Sequence, residues 1–313
     1  MRLGRCLILT HPARLGDSVL SLPLHRALGS RAELHSNVGE PYRFLFTLAG
    51  VETAQAGRLY PKGAAALLRE ARQLRSWRFD TVFLLRPNFR SALLARLAGI
   101  PQRVGDPSEA RGILINHKVK VPKGTHQLNR IAAFGEAVGV EVPTDFGLPR
   151  APTVDPPMIG IVAAASYSDK MIPAQALRAV CELLLERGYR LTLLGGPGEE
   201  QWAEPLLSLE IENWIGRYAL PELVAPLGSL SGVVAADGGL YHFSVGCGVP
   251  SVGVYGPTAH KLWWHDWGPH VPVLAPDGKM ENVGPDLLWE GVVRVLNDPE
   301  PGRVLPGGLL SSR

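Results

Sequence analysis

The chain has 313 residues, 46% of them hydrophobic and 19% charged, with a formal net charge of +3. That length accommodates two domains with ordinary cores, and the composition excludes a disordered or fibrous chain. No apolar run reaches the ~18–20 residues of a membrane-spanning helix, so a soluble globular protein is expected.

The first apolar run, residues 6–10, is too short for a secretory leader and is soon followed by Pro12, Arg14 and Asp17. It reads as the first β-strand. A polar loop over 11–16 and an amphipathic helix over 17–28 follow, then strands over 51–54 and 81–85 and a helix over 128–138. The stretch 142–157 carries Pro143, Pro149, Pro152, Pro156 and Pro157, a linker signature that divides the chain into domains 1–152 and 153–313. The second half opens like the first: strand 159–163, polar loop 164–173, helix 174–187. Strands over 190–194, 232–236 and 251–255 come next. A final amphipathic helix near 285–297 is expected to pack back toward the N-terminal domain, ahead of a loosely held tail from Pro299 onward. Strands alternating with helices predict an α/β protein with parallel sheets. Two such domains on a linker place a cleft between them, faced by the loops that follow the strands.

Charge is unevenly divided. Residues 1–150 hold 22 Lys and Arg against 11 Asp and Glu, a net +11, whereas the remainder holds 10 against 18, a net −8. The first half therefore suits an anionic partner such as nucleic acid, an anionic lipid surface or a phosphorylated glycan, the alternative being a merely solvated arginine-rich surface. Cys6, Cys181 and Cys247 are odd in number and form no metal or disulfide spacing, which suits buried structural thiols in a reducing cytoplasm.

Five constellations can carry chemistry. Arg14-Leu15-Gly16-Asp17 follows the first strand, where Asp17 can cap the helix or take a proton from an incoming hydroxyl. The loop from Ala163 to Pro173 combines small residues, the Ser166 and Ser168 hydroxyls and Lys170, suited to a pyrophosphate or simply to solvent. Leu194-Gly195-Gly196-Pro197-Gly198-Glu199-Glu200 ends a strand in glycines and carboxylates. That arrangement serves ribose hydroxyls or an ordinary turn, and it lacks the dinucleotide fingerprint. Asp237-Gly238-Gly239 lies between a buried strand and a helix whose free N–H groups suit a phosphate, with His242 in the second turn as a packed or a functional histidine. The aromatic run over 262–268 can stack on a sugar or base, or pack between helices.

In combination these motifs resemble the lipopolysaccharide heptosyltransferases, glycosyltransferase family nine. The resemblance rests on Arg14-Leu15-Gly16-Asp17 with Pro23, on Lys170-Met171-Ile172-Pro173, and on Leu194-Gly195-Gly196-Pro197. It rests also on the run from Asp237 through His242 to Tyr255-Gly256-Pro257-Thr258. It implies a GT-B architecture of two Rossmann-like domains facing across a cleft, and an inverting transfer without metal or other cofactor. The donor would be an ADP-sugar, usually ADP-heptose, and the acceptor an anionic glycolipid at the inner membrane surface. That makes the protein cytoplasmic, with a peripheral membrane contact.

By the same resemblance Asp17 would be the general base, with Arg14 and Gly16 on the acceptor side. Lys170, Ser166 and the backbone of Gly238 and Gly239 would hold the diphosphate. Glu199 would approach the ribose, and the 216–220 segment with Arg217 the adenine. Asp237 would orient the donor, with His242 beside it. Two departures bear on the sugar: family members carry Thr where Gly238 stands, and Ala163, Ala164 and Ala165 precede Ser166. A sugar-nucleotide epimerase or hydrolase on the same fold, or a non-enzymatic nucleotide-binding protein, are the competing readings. Nucleic acid is not expected, because the basic residues lack aromatic interleaving.

Overall fold

The structure, a computed structural model, describes residues 2–296 except positions 12, 57, 58, 60, 61, 87, 109, 166 and 266–268. The chain forms two compact units, Met1–Gly147 and Leu148–Arg313. The division falls a few residues before the expected 152/153 boundary. Its physical reason is that the proline-rich segment is pinned to the second unit. Arg150 donates to the Gly248 and Leu230 carbonyls at 2.7 and 3.0 Å, and the Val154 N–H donates to the Ser229 carbonyl.

The first unit runs β1 Arg5–Leu9, α1 Leu15–Gly29, β2 Glu33–Ser36, α2 Phe44–Leu48, β3 Ala54–Gln55, α3 Ala64–Ser76 and β4 Thr81–Leu84. It continues with α4 Phe89–Leu97, β5 Gln102–Gly105, β6 His117–Lys118 and α5 Gln127–Glu136. Its strands pair in parallel in the order β3-β2-β1-β4-β5-β6. The expected strand over 51–54 is displaced: Val51 is buried ahead of it, and only Ala54–Gln55 pair with β2.

The second unit runs β7 Met158–Val162, α6 Ala174–Glu186, β8 Arg190–Leu194, α7 Glu200–Ala203, β9 Glu212–Asn213, α8 Leu220–Gly228 and β10 Gly232–Ala236. It ends with α9 Gly239–Gly246, β11 Ser251–Tyr255, α10 His260–Trp263, β12 His270–Leu274 and α11 Pro285–Leu296. Its sheet, β9-β8-β7-β10-β11-β12, is also parallel throughout. Each unit thus carries the 3-2-1-4-5-6 strand order of a dinucleotide-type α/β fold.

Apolar continuity explains the central strands. All five residues of β7, β10 and β11 are buried, as expected of parallel strands covered on both faces. The core of the second unit joins Ile161, Val234 and Val254 from the sheet to Val180 and Leu184 of α6 and Leu288 and Val292 of α11. Helix α11 therefore packs on α6 and on β10, β11 and β12 of its own unit. Gly291 permits that approach, since a Cβ there would lie 2.4 Å from the Val273 side chain. Cys6, Cys181 and Cys247 are all buried free thiols, and burial pushes each up to about 12, removing them from nucleophilic chemistry at neutral pH.

Candidate functional site

Ligands of open parallel sheets bind beyond the strand carboxyl ends, where successive connections diverge to opposite sides. In the first unit that point lies between β1 and β4, and in the second between β7 and β10.

At the first, Asn37 fixes the strand end by accepting from the Thr10 N–H and donating to its carbonyl at 2.8 and 3.1 Å. Arg14 is the exposed N-cap residue of α1 in extended backbone, with no side-chain cap bond. Gly16 is buried, and Asp17 stands half-buried inside the first turn. Asp17 is thus not the N-cap residue, although its carboxylate still complements the helix N-terminus. Burial lowers the His11 pKa; the Asp17 carboxylate opposes that shift, and Arg86 and Arg14 add to it. His11, Arg14, Asp17 and Arg86 therefore share one electrostatic neighbourhood. Arg86, just beyond β4, was not singled out by the sequence; its signal is topological, the position after the strand adjacent to β1.

At the second, Lys170 ends a single 3-10 turn, Ser168–Lys170, just before Pro173 opens α6. Asp237 follows β10. The two side chains meet, with Lys170 Nζ donating to Asp237 Oδ2 at 2.7 Å. The other carboxylate oxygen lies 3.5 Å from His242 Nε2. Burial alone would raise the Asp237 pKa, but His242 and Lys170 outweigh it and hold the carboxyl well below the usual carboxylate range. Asp237 is therefore an anion at neutral pH.

Helix α9 begins beside this pair. Gly238 is its N-cap in extended backbone with no side-chain cap bond, and Gly239 is its first residue. The N-terminal N–H groups and the Lys170 ammonium bring two anion-stabilising elements to the carboxyl ends of β7 and β10. A Cβ on Gly238 would find its nearest atom, the Ala236 carbonyl oxygen, at 3.7 Å, so the backbone does not require glycine there. Ser166 lies outside the described residues, while Ala163 and Ala164 before it are buried.

The neighbouring loops also converge. Glu199 accepts from the Gly196 N–H at 2.8 Å, holding the glycine turn after β8. The Gly216 N–H donates to the Gly195 carbonyl at 3.1 Å, drawing the 216–220 segment to that turn. Arg217 is exposed, with its guanidinium over the Tyr218 ring at 5.5 Å. The motif around Gly256 has a packing role, because a Cβ there would lie 2.5 Å from the Met280 side chain. The aromatic run resolves toward packing at His265, which is fully buried, with Nε2 3.0 Å from His242 Nδ1. Positions 266–268 of that run lie outside the described residues. Among the described residues, no three His, Cys, Asp or Glu side chains form a group that could hold a metal ion.

Comparison with known proteins gives this geometry a context. The family model for glycosyltransferase family 9 (heptosyltransferase) matches residues 67–276. Lipopolysaccharide heptosyltransferase 2 of Escherichia coli K12 is 26% identical over 284 residues, 79% of this chain and 82% of that protein. Lipooligosaccharide heptosyltransferase 2 of Haemophilus ducreyi is 24% identical over 96% of this chain and 97% of its own length. Among solved structures, E. coli heptosyltransferase WaaC with ADP superposes with a TM-score of 0.76 at 22% identity, covering 93% of this chain and 99% of that one.

Proposed function

Since the chain belongs to glycosyltransferase family 9, we propose that it transfers heptose from ADP-heptose to a lipopolysaccharide-core or related cell-envelope glycan, with inversion and without a metal. The observation that carries this reading is the Lys170–Asp237 pair, 2.7 Å apart beside the start of α9. The acceptor hydroxyl attacks the anomeric carbon and Asp17 takes its proton. The bond from that carbon to the diphosphate oxygen breaks, and ADP leaves with the extra negative charge. Lys170 and the α9 N–H groups oppose that charge most strongly when it is greatest, at the transition state. Glu199 binds the ribose, the 216–220 segment with Arg217 lies against the adenine, and Ser166 adds a hydroxyl to the diphosphate loop. Fixed positive groups make a divalent ion unnecessary for leaving-group departure.

The acceptor side rests on Arg14, Gly16 and Asp17, in the half of the chain with the positive balance. A phosphorylated glycolipid at the inner face of the cytoplasmic membrane matches that charge and supports the reading of a cytoplasmic enzyme in peripheral contact with that membrane. Calorimetry with ADP-, UDP- and GDP-sugars in a chelator tests the donor: ADP-heptose should bind and turn over. Preference for another nucleotide, or a strict metal requirement, would overturn that part. Asp17→Asn should abolish transfer while donor affinity stays within a few-fold; wild-type turnover in that variant would remove Asp17 from the role of base.

A further inference from the structure

Behind Asp237 a chain of polar side chains continues into the interior. His242 is 4% exposed and His265 0%, yet their rings meet through nitrogens, Nδ1 to Nε2 at 3.0 Å. Tyr241 packs on both rings, at centroid distances of 5.4 and 5.6 Å. Apolar aromatics would fill this space without the cost of burying polar nitrogens, so the histidine pair needs a reason beyond packing.

Hydrogen-bond directions supply one. Asp237 is ionised and can only accept. Its Oδ2 accepts from Lys170, and its Oδ1 faces His242 Nε2 at 3.5 Å, a favourable contact only if that nitrogen carries hydrogen. With hydrogen on Nε2 only, His242 presents a bare Nδ1, which needs a donor, and His265 Nε2 is in place to provide it. The hydrogens then run in one direction, from His265 to His242 to Asp237, with Lys170 closing the chain from the other side.

We infer that His265 is a positioning residue: by donating to His242 Nδ1 it fixes the His242 tautomer, which holds the Asp237 carboxylate and thereby aims Lys170 at the departing diphosphate. What Lys170 holds rests on the donor reading above; the direction of the hydrogen-bond chain does not. Without His265, hydrogen can move to His242 Nδ1. Two bare acceptors then face each other at the Asp237 end, the carboxylate turns, and Lys170 loses its fixed place. The charge remains in the loop, so ground-state donor binding changes little while transition-state stabilisation falls.

The test combines nitrogen-detected NMR of the histidine rings, without substrate, with steady-state kinetics. Wild-type His242 is expected to be protonated at Nε2 alone. His265→Phe should shift it toward Nδ1 and lower kcat about tenfold while the donor KM stays within about threefold. His265→Gln, whose amide N–H2 can donate, should restore both tautomer and rate. Hydrogen on Nδ1 of wild-type His242, as the other tautomer or as imidazolium, would overturn the inference. So would an unchanged tautomer in His265→Phe. If that variant does not fold, the wild-type spectrum and His265→Gln decide alone. Calorimetry with ADP separates the two readings: the expected tautomers without ADP binding would remove the donor site and leave the positioning chain standing.

Discussion

An ammonium has three hydrogens, and Lys170 directs one to Asp237 at 2.7 Å, leaving two for phosphate oxygens. Lys170→Ala should therefore weaken ADP binding and lower kcat, each by about tenfold to a hundredfold for the loss of a charge-assisted hydrogen bond. Unchanged ADP affinity in calorimetry would move the phosphate site elsewhere. Asp237 is held below its ordinary pKa, so it binds protons less readily folded than unfolded. Its stabilising contribution is full at neutral pH and is lost as pH falls below about 4. Asp237→Asn should flatten that acid limb in urea titrations, and an unaltered limb would contradict the pairing. Gly238 offers a gain: its extended backbone and the 3.7 Å clearance admit a side chain. Gly238→Ser should stabilise α9 by a few tenths of a kcal/mol, seen as a higher urea midpoint, by capping its free N–H groups. At this scale the motifs exposed Asp17, Lys170, Asp237 and His242 individually. Their pairings were not legible, because Lys170 and Asp237 lie 67 residues apart and meet only since β7 and β10 are neighbours.

Among elements, legibility followed hydrophobic continuity. The strands over 190–194, 232–236 and 251–255 match their expected bounds, since apolar runs closed by Gly or Pro specify both ends, and α11 begins at the expected Pro285. The polar strands β2, β6 and β9 left no pattern, because their neighbours in the sheet pair them. β12 was obscured by Pro272, which is tolerated because β12 is an edge strand. Helix α1 begins at Leu15, before the expected 17, and buries His25 completely. The His25 Nδ1–H donates to the Ser21 carbonyl at 2.8 Å, and Nε2 lies 3.2 Å from the Ser36 hydroxyl. Burial lowers its pKa to about 4, against the opposing bond to Ser21. The unfolded chain therefore takes up the proton first, and this stabilisation is present above about pH 6.5 and lost as pH falls toward 4. Between pH 7 and pH 5 the loss is about 2 kcal/mol, and His25→Gln should shrink it by that amount in urea melts at the two values. Gly253 governs another contact, since a Cβ would lie 2.5 Å from the Tyr241 ring. Gly253→Ala should cost about 1–3 kcal/mol through overpacking, measured the same way.

For the whole molecule, the charge split was plain in the sequence, whereas its use depends on partners outside the chain. Among the described residues no helix is long and apolar enough to cross a membrane. Sedimentation with vesicles should show binding that rises with the anionic lipid fraction and fades as salt approaches molar concentration. Binding indifferent to salt would assign the positive balance to something other than lipid or glycolipid phosphate. The matching strand order of the two sheets has a consequence for descent. Each half carries a strand-order switch point of its own, so in the proposed division of labour donor and acceptor preference are separately heritable traits. Loops after β7, β8 and β10 can drift toward a new sugar while those after β1 and β4 keep the old acceptor, and the reverse. A lineage built this way diversifies one substrate at a time, and position 238, where a Cβ meets no atom nearer than 3.7 Å, admits such a step.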